Sequence, residues 1–251
     1  MKTQIYSAFL LVMWLLTSCV SSKKMVYFQD NETVQVNEAI LNFEPIIQSG
    51  DLLSINVSAL EAEAAVTFNL YETPGTRTNN AKPLNYLVDS EGEINFPVVG
   101  PIKVAGFTTK QVTQNLTSTL GAYLVNPIVN IRLINFKVTV MGEVKSPGTY
   151  TIPNERITIV EALGLAGDLN IQGKRSTVLL IREQEGKRAF ITMDLTNKKL
   201  FNSPYYYLAQ NDVIYVEPNK TKINSSAVGT NTSIIVSSVS LLITLLALLT
   251  R

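Results

Sequence analysis

An α+β fold of two small, mixed, strand-rich domains, followed by a C-terminal transmembrane helix, is the fold class this sequence predicts. Three observations carry the prediction. Between Pro45 and Pro218 most of the chain falls into short stretches of alternating apolar and polar residues bounded by Gly, Pro and Asn, the pattern of half-buried strands. Within that body only Thr108 to Tyr123 and Thr158 to Ala166 set apolar residues at helical spacing. Ile234 to Leu249 then runs without a single charged residue. Few helices among many strands argue for two compact α+β units rather than a doubly wound sheet. With 46% hydrophobic and 16% charged residues, the chain has the apolar content to fill such cores.

Taken in order, the first segment, 1–18, reads as a signal peptide: Lys2 supplies the positive start, Ala8 to Leu16 the apolar run, and small residues follow. Leu16-Thr17-Ser18-Cys19 resembles the bacterial lipobox, which implies cleavage before Cys19 and lipidation of its sulfur. Cys19 is also the only cysteine of the chain, so a lipid would account for its presence. Val20-Ser21-Ser22-Lys23-Lys24 has no Asp beside the cysteine, which by resemblance to lipoprotein sorting favours the outer membrane. Residues 19–44 are polar and weakly patterned, as suits a tether.

The first domain is expected over 45–135. Leu52 to Val57 is a strand after the turn pair Gly50-Asp51, Ala65 to Tyr71 a second strand, and Glu72 to Pro83 a loop. Tyr86 to Pro97 sets an acidic Gly turn between strands, Ile102 to Val104 adds another, and Asn126-Pro127 stops the helix over 108–123. Ile128 to Leu133 returns to the sheet. The second domain, 136–218, holds strands at Lys137 to Val144, Gly148 to Ile152, Thr177 to Glu183, Arg188 to Asp194 and Asp212 to Glu217 around one short helix. Pro147-Gly148 fits the centre of a type II turn, in which Gly accepts a positive φ. Residues 219–232, rich in Ser, Thr and Asn, read as a linker, and 233–250 as the spanning helix.

Composition excludes whole classes of function. Lys and Arg number 21 against 20 Asp and Glu, a formal charge of +1, so no basic field exists to hold nucleic acid. No His is present, which removes His-based triads, His general bases and His metal ligands. No cofactor or metal is expected. Carboxylate pairs of the glycosidase kind exist only as Asp89, Glu91 and Glu93 in a short turn, or as Glu61 and Glu63, with no aromatic wall to raise one pKa. A catalytic site is therefore not predicted.

Three stretches resemble the polysaccharide biosynthesis and export family, the Wza-type translocon lipoproteins. Ile47 to Val57, with Gly50 and Asp51, is similar to its opening signature. Val88 to Thr108, with Gly92, Pro97, Gly100 and Gly106, resembles its acidic hairpin and the Ala-Gly entry to its helix, and Tyr123 to Pro127 continues the match. Val138 to Tyr150, with Gly142, Pro147 and Gly148, looks like the start of an SLBB domain, a ligand-binding β-grasp module. Ile159 to Asp168 and Leu208 to Val216 extend that likeness. The family's paired Gly after Ala is Gly167-Asp168 here, a departure that bears on one turn.

The resemblance implies an oligomeric ring of copies around an aqueous lumen in the outer membrane, with polysaccharide as cargo and an inner-membrane polysaccharide co-polymerase, often coupled to a tyrosine kinase, as partner. The rival expectation is a periplasmic glycan-binding lipoprotein without channel activity, in which Tyr205, Tyr206 and Tyr207 would stack on sugar. In the C-terminal run, Ser233, Ser237, Ser240 and Thr244 recur on one helical face opposite an aliphatic stripe. That pattern suits either a wet lumen or close helix contact in a membrane, and also a plain anchor. Sixteen residues at about 1.5 Å each give about 24 Å, so length alone admits either membrane.

Overall fold

The computed structural model describes residues 25–29, 43–71, 83–184, 186–228 and 232–249. Cys19 and the lipobox lie outside these. The first domain centres on a three-stranded sheet of β2 (Tyr86–Leu87), β1 (Leu52–Ser58) and β5 (Ile128–Leu133), in that order. β1 and β5 run antiparallel from Leu53↔Leu133 to Ser58↔Ile128. Alternation explains the packing: Leu53, Ile55 and Val57 of β1 and Val129, Ile131 and Leu133 of β5 are buried, while their neighbours face out. A hairpin, β3 (Glu93–Phe96) with β4 (Gly100–Lys103), lies beside the sheet.

Two helices complete this domain. α1 (Ala62–Val66) is one short turn, and α2 (Thr109–Leu120) buries Val112, Leu116 and Leu120. α2 begins in a capping box: Thr108 Oγ1 accepts from Gln111 N and Gln111 Oε1 accepts from Thr108 N.

The second domain is a five-stranded sheet, β7-β6-β10-β8-β9: β6 (Lys137–Gly142), β7 (Gly148–Thr151), β8 (Val178–Gln184), β9 (Lys187–Met193) and β10 (Val213–Val216). Only β6 and β10 pair in parallel. α3 (Ile159–Leu165) packs Ile159, Ala162 and Leu163 inward and starts in a second capping box, Thr158 with Glu161. A 3-10 turn spans Lys198–Asn202, and α4 (Lys220–Val228) and α5 (Thr232–Leu249) close the chain.

Four expectations need correction. No helix among the described residues is long and apolar enough to cross a membrane, so α5 is not the transmembrane helix that its uncharged run suggested. Its 18 residues carry six Ser and Thr, at 232, 233, 237, 238, 240 and 244, among the aliphatic ones. Of the striped hydroxyls, Ser240 Oγ donates to Ser237 O and Thr244 Oγ1 to Ser240 O, both within the helix.

The remaining three are local. The strand expected at 65–71 begins instead as helix α1, because Asn69 takes the β1 edge by donating to Val57 O and accepting from Val57 N. Residues 220–228 are helical rather than linker, with Asn219 Oδ1 capping Lys222 N. Gly148 has no positive φ and starts β7; the left-handed residue at that corner is Gly142, with φ +92.

Candidate functional site

The two domains meet through a joint built on Asn135 and Gln210. Asn135 Oδ1 accepts from Leu52 N at 2.9 Å and its Nδ2 donates to Gly50 O. Gln210 Nε2 donates to Asn135 O at 2.9 Å, while its Oε1 accepts from Lys137 N. Glu155 adds a contact by accepting from Leu133 N at 2.6 Å. These bonds tie the start of β1 and the end of β5 to the end of the second sheet where β6 and β10 begin. A cleft of about 380 Å³ opens beside the joint, between Ile46 to Ser49 and the tip of the β8–β9 hairpin.

Asp51 sits at this joint, 1% exposed, accepting from Gln48 N at 2.8 Å. Burial pushes its carboxyl up to about 6, only partly offset by the hydrogen bonds from Gln48 and Gln210. Burial likewise raises Glu155. An acid raised above its unfolded value of about 3.9 contributes stability that is full below that pH and is lost as pH rises through about 6. We therefore expect urea unfolding to show stability falling between about pH 4 and pH 6, and Asp51→Asn to flatten the slope. Identical slopes in the two proteins would assign the effect elsewhere.

The opposite end of the second sheet forms a pole at which residues 25–29 dock and α4 begins. There Gly142 faces Val216 and Val178 faces Met193. The N-terminal segment docks at this pole: Phe28 N donates to Leu195 O, Gln29 N to Thr196 O, and the Tyr27 hydroxyl to Asp168 Oδ1. The Arg175 guanidinium stands 5.2 Å from the Tyr27 ring, and an apolar hollow of about 320 Å³ lies between Phe28, Val160 and Leu163. Burial and the Asp168 contact push the Tyr27 hydroxyl up. At the C-terminal side, Asn219 N donates to Gln172 O and Lys222 pairs with Glu143, so α4 departs from the same pole. Sequence reading missed the docking of Tyr27 and Phe28; two aromatics in a polar tether were its only signal.

The turn residues singled out by sequence hold backbone corners. Gly50, Gly92, Gly100, Gly106, Gly142 and Gly167 all have positive φ. Gly92 allows the hairpin to close on Ala105, since a Cβ there would meet the Ala105 Cβ at 2.6 Å. Asp168, where the family pattern has its second Gly, keeps the left-handed conformation at φ 71 and uses its carboxylate to accept from Leu169 N and from Tyr27. Asp89 likewise serves its turn, with Oδ1 accepting from Glu91 N and Glu93 N.

Tyr206 and Tyr207 lie in a row of rings, and Tyr205 stands against Arg182 instead. Phe28 contacts Phe201 at 5.0 Å, Phe201 contacts Tyr206 at 5.4 Å, Tyr206 meets Tyr207 at 5.3 Å, and Tyr207 stacks on Phe43 at 5.2 Å. Arg156 lies 4.2 Å over the Tyr207 ring and Arg182 5.4 Å from Tyr205. Tyr207 is buried and the other two are half-buried. The row thus pins the entering chain at Phe28 and again at Phe43.

Comparison with known proteins follows this division of the chain. Residues 42–134 match the family described as polysaccharide biosynthesis/export protein, and residues 136–216 match the SLBB domain. The chain is 29% identical over 199 residues to the EPS I polysaccharide export outer membrane protein EpsA of Ralstonia solanacearum, covering 75% of this chain and 52% of that protein. To the protein of the same name from Ralstonia nicotianae it is 33% identical over 136 residues, 53% of this chain and 35% of the other. The chain thus spans about half the length of the first relative and about a third of the second.

Proposed function

We propose that this chain, whose residues 42–134 match the polysaccharide biosynthesis/export family and whose residues 136–216 match the SLBB domain, is an outer-membrane subunit of a polysaccharide-export channel. The family is one of transporters rather than enzymes. The observation that carries the reading is the succession of the two matched domains, which together account for nearly the whole folded body. A polysaccharide is hydrophilic, so its passage needs a water-filled path rather than chemistry. A single chain of this size encloses none, and several copies arranged as a ring supply one. An inner-membrane polysaccharide co-polymerase is the partner that would feed such a ring.

Anchoring fits the geometry. With a lipid on Cys19, the residues up to Met25 span at most about 20 Å, and Tyr27 and Phe28 are fixed to the pole of the second domain. That pole therefore lies next to the membrane and the first domain points away from it. Cys19→Ser is expected to release the body from the outer-membrane fraction, and mass spectrometry of the mature amino terminus checks the lipid directly. An unmodified Cys19, or cleavage elsewhere, refutes the anchor.

Deleting the protein is expected to remove polysaccharide from the cell surface, and electron microscopy of detergent-extracted protein to reveal rings. Unchanged surface polysaccharide after deletion would overturn the export reading. Monomers in mild detergent would instead favour a monomeric glycan-binding lipoprotein.

A further inference from the structure

A buried carboxylate stands where the two domains are clasped together. The chain crosses from the first domain to the second between Leu133 and Lys137, and Asn135 in that crossing is bonded to Gly50 and Leu52 on one side and to Gln210 on the other. Gln210 in turn accepts from Lys137 N and hydrogen-bonds to the Asp51 carboxylate. The groups that face Asp51 are neutral: Gln210, Gln48 N from its own turn, and Val88 N after β2, which donates to the Asp51 backbone oxygen. The charged residues of the joint are engaged elsewhere. Glu155 accepts from Leu133 N with Arg132 as its counter-charge, Asp212 is taken by Arg182, and Lys137 is exposed.

A carboxylate ion at 1% exposure, met by N–H donors but by no cation, has lost most of its hydration without gaining a counter-ion. The neutral acid suits that place better. Lifting the carboxyl from 3.8 to about 6 means that ionisation disfavours the packed joint, against a parted and hydrated one, by about a hundredfold. The bonds that hold the joint join amide, carbonyl and carboxyl groups, and each is worth roughly two- to tenfold in an equilibrium, because water replaces them. Ionising Asp51 therefore offsets about two of them, enough to part a joint held by a handful. The same turn also walls the neighbouring cleft, where Ile46 to Ser49 face Glu183, Gln184 and Gly186 at the tip of the β8–β9 hairpin.

We propose that this joint is a hinge governed by the charge of Asp51: with the carboxyl neutral the two domains move as one piece, and with it ionised the first domain swings about residues 134–136, parting Ile46 to Ser49 from the β8–β9 tip and letting water reach the carboxylate. An acid raised in the packed state favours that state fully below about pH 4; the preference is lost as pH rises to about 6, and beyond that no further change is due. The hinge is independent of what the protein exports and of how it is anchored.

The test measures a distance across the hinge by pulsed electron spin resonance. Spin labels are carried on non-canonical residues at exposed Gln114 in α2 and exposed Lys187 in β9, in full-length protein diluted with unlabelled copies. A pair within the first domain, Gln114 with Asn95, is the control. Across the hinge we expect one distance at pH 4 and a second whose ratio to the first rises about a hundredfold by pH 6 to 7 and then levels, with the control pair unchanged. Asp51→Asn, which keeps an acceptor for Gln48 N, should hold the pH 4 ratio at every pH, and Glu155→Gln should leave the rise in place. A constant ratio in the unaltered protein, a rise that survives Asp51→Asn, or one abolished by Glu155→Gln would each overturn the proposal. A control pair that changes along with the hinge pair overturns it too, because the first domain would then be unfolding rather than turning. Should Asp51→Asn fail to fold, Gln210→Met replaces it: removing a donor to the carboxylate should carry the rise to higher pH, and a rise left where it was sinks the hinge.

Discussion

Replacing Asp212 by alanine is expected to cost about 3 to 5 kcal/mol and to lower the melting temperature of the second domain by more than about 12 °C. Asp212 is fully buried, and its carboxylate is met from three sides. Arg182 Nε donates to Oδ1 at 3.0 Å, Arg182 Nη2 to Oδ2 at 2.6 Å, and Ala209 N to Oδ2 at 2.8 Å. The same guanidinium donates to Tyr207 O at 3.0 Å, so it also braces the turn segment bearing Tyr206 and Tyr207. Its side chain is only 12% exposed, and alanine at 212 leaves that charge without a counter-ion in a site water hardly reaches. Alanine at 182 should cost a similar amount for the reciprocal reason.

The double variant Asp212→Leu with Arg182→Met separates pair attraction from packing. A buried ion pair replaced by apolar groups of similar volume is often neutral or stabilising, so the double variant should recover most of the loss. A cost below about 1 kcal/mol for Asp212→Ala would show that Arg182 finds water or another partner and that the pair is not a structural tie.

How far the sequence disclosed this fold depended on whether the deciding contact was local. Both longer helices of the body were legible because their signals sit within four residues: Thr108 with Gln111 and Thr158 with Glu161, each ahead of an apolar face. The paired strands were legible from period-two burial. α1 was not, since Val66-Thr67-Phe68-Asn69-Leu70 alternates as a strand would, and only the bonds of Asn69 to Val57, 12 residues away, exclude it from the sheet. α4 was hidden by Ser, Thr and Asn, residues of linkers that also serve as helix caps.

At the site the same rule holds. The glycines that turn the chain were visible as motif positions, yet the role of Asp168 needed Tyr27, 141 residues away, before it could be seen. The joint is built from Asn135 and Gln210, polar residues with no periodicity, and they match no local pattern. For α5 the uncharged run was read correctly as helix, but that helix is not long and apolar enough for a span.

Gly142→Ala is the second substitution with a large expected effect, at least about 3 kcal/mol, because conformation and space both forbid a side chain there. Gly142 has φ +92, a region that costs an L residue roughly 1 to 2 kcal/mol. A Cβ would in addition stand 2.1 Å from Val216 O and 2.9 Å from Val216 C. That obstacle is backbone, fixed in the parallel pairing of β6 with β10, and cannot swing aside as a side-chain end would. Yielding means separating Gly142 from Val216 and losing the bond from Glu143 N to Val216 O. Gly50→Ala is the control: φ is +88 but no atom lies within 4 Å of the added Cβ, so only the conformational cost of about 1 to 2 kcal/mol applies. The consequence of Gly142→Ala reaches beyond the sheet. Glu143 and Val144 follow directly, Val144 bridges to Leu169, and Asp168 next to it holds Tyr27. Thermal melts should separate the two glycine variants by more than about 1 kcal/mol, and hydrogen exchange should show residues 25–29 losing protection in Gly142→Ala alone. Equal melting temperatures would mean that the β6–β10 pairing gives way easily at its end, and protection kept at 25–29 would mean that the tether is held independently of that sheet.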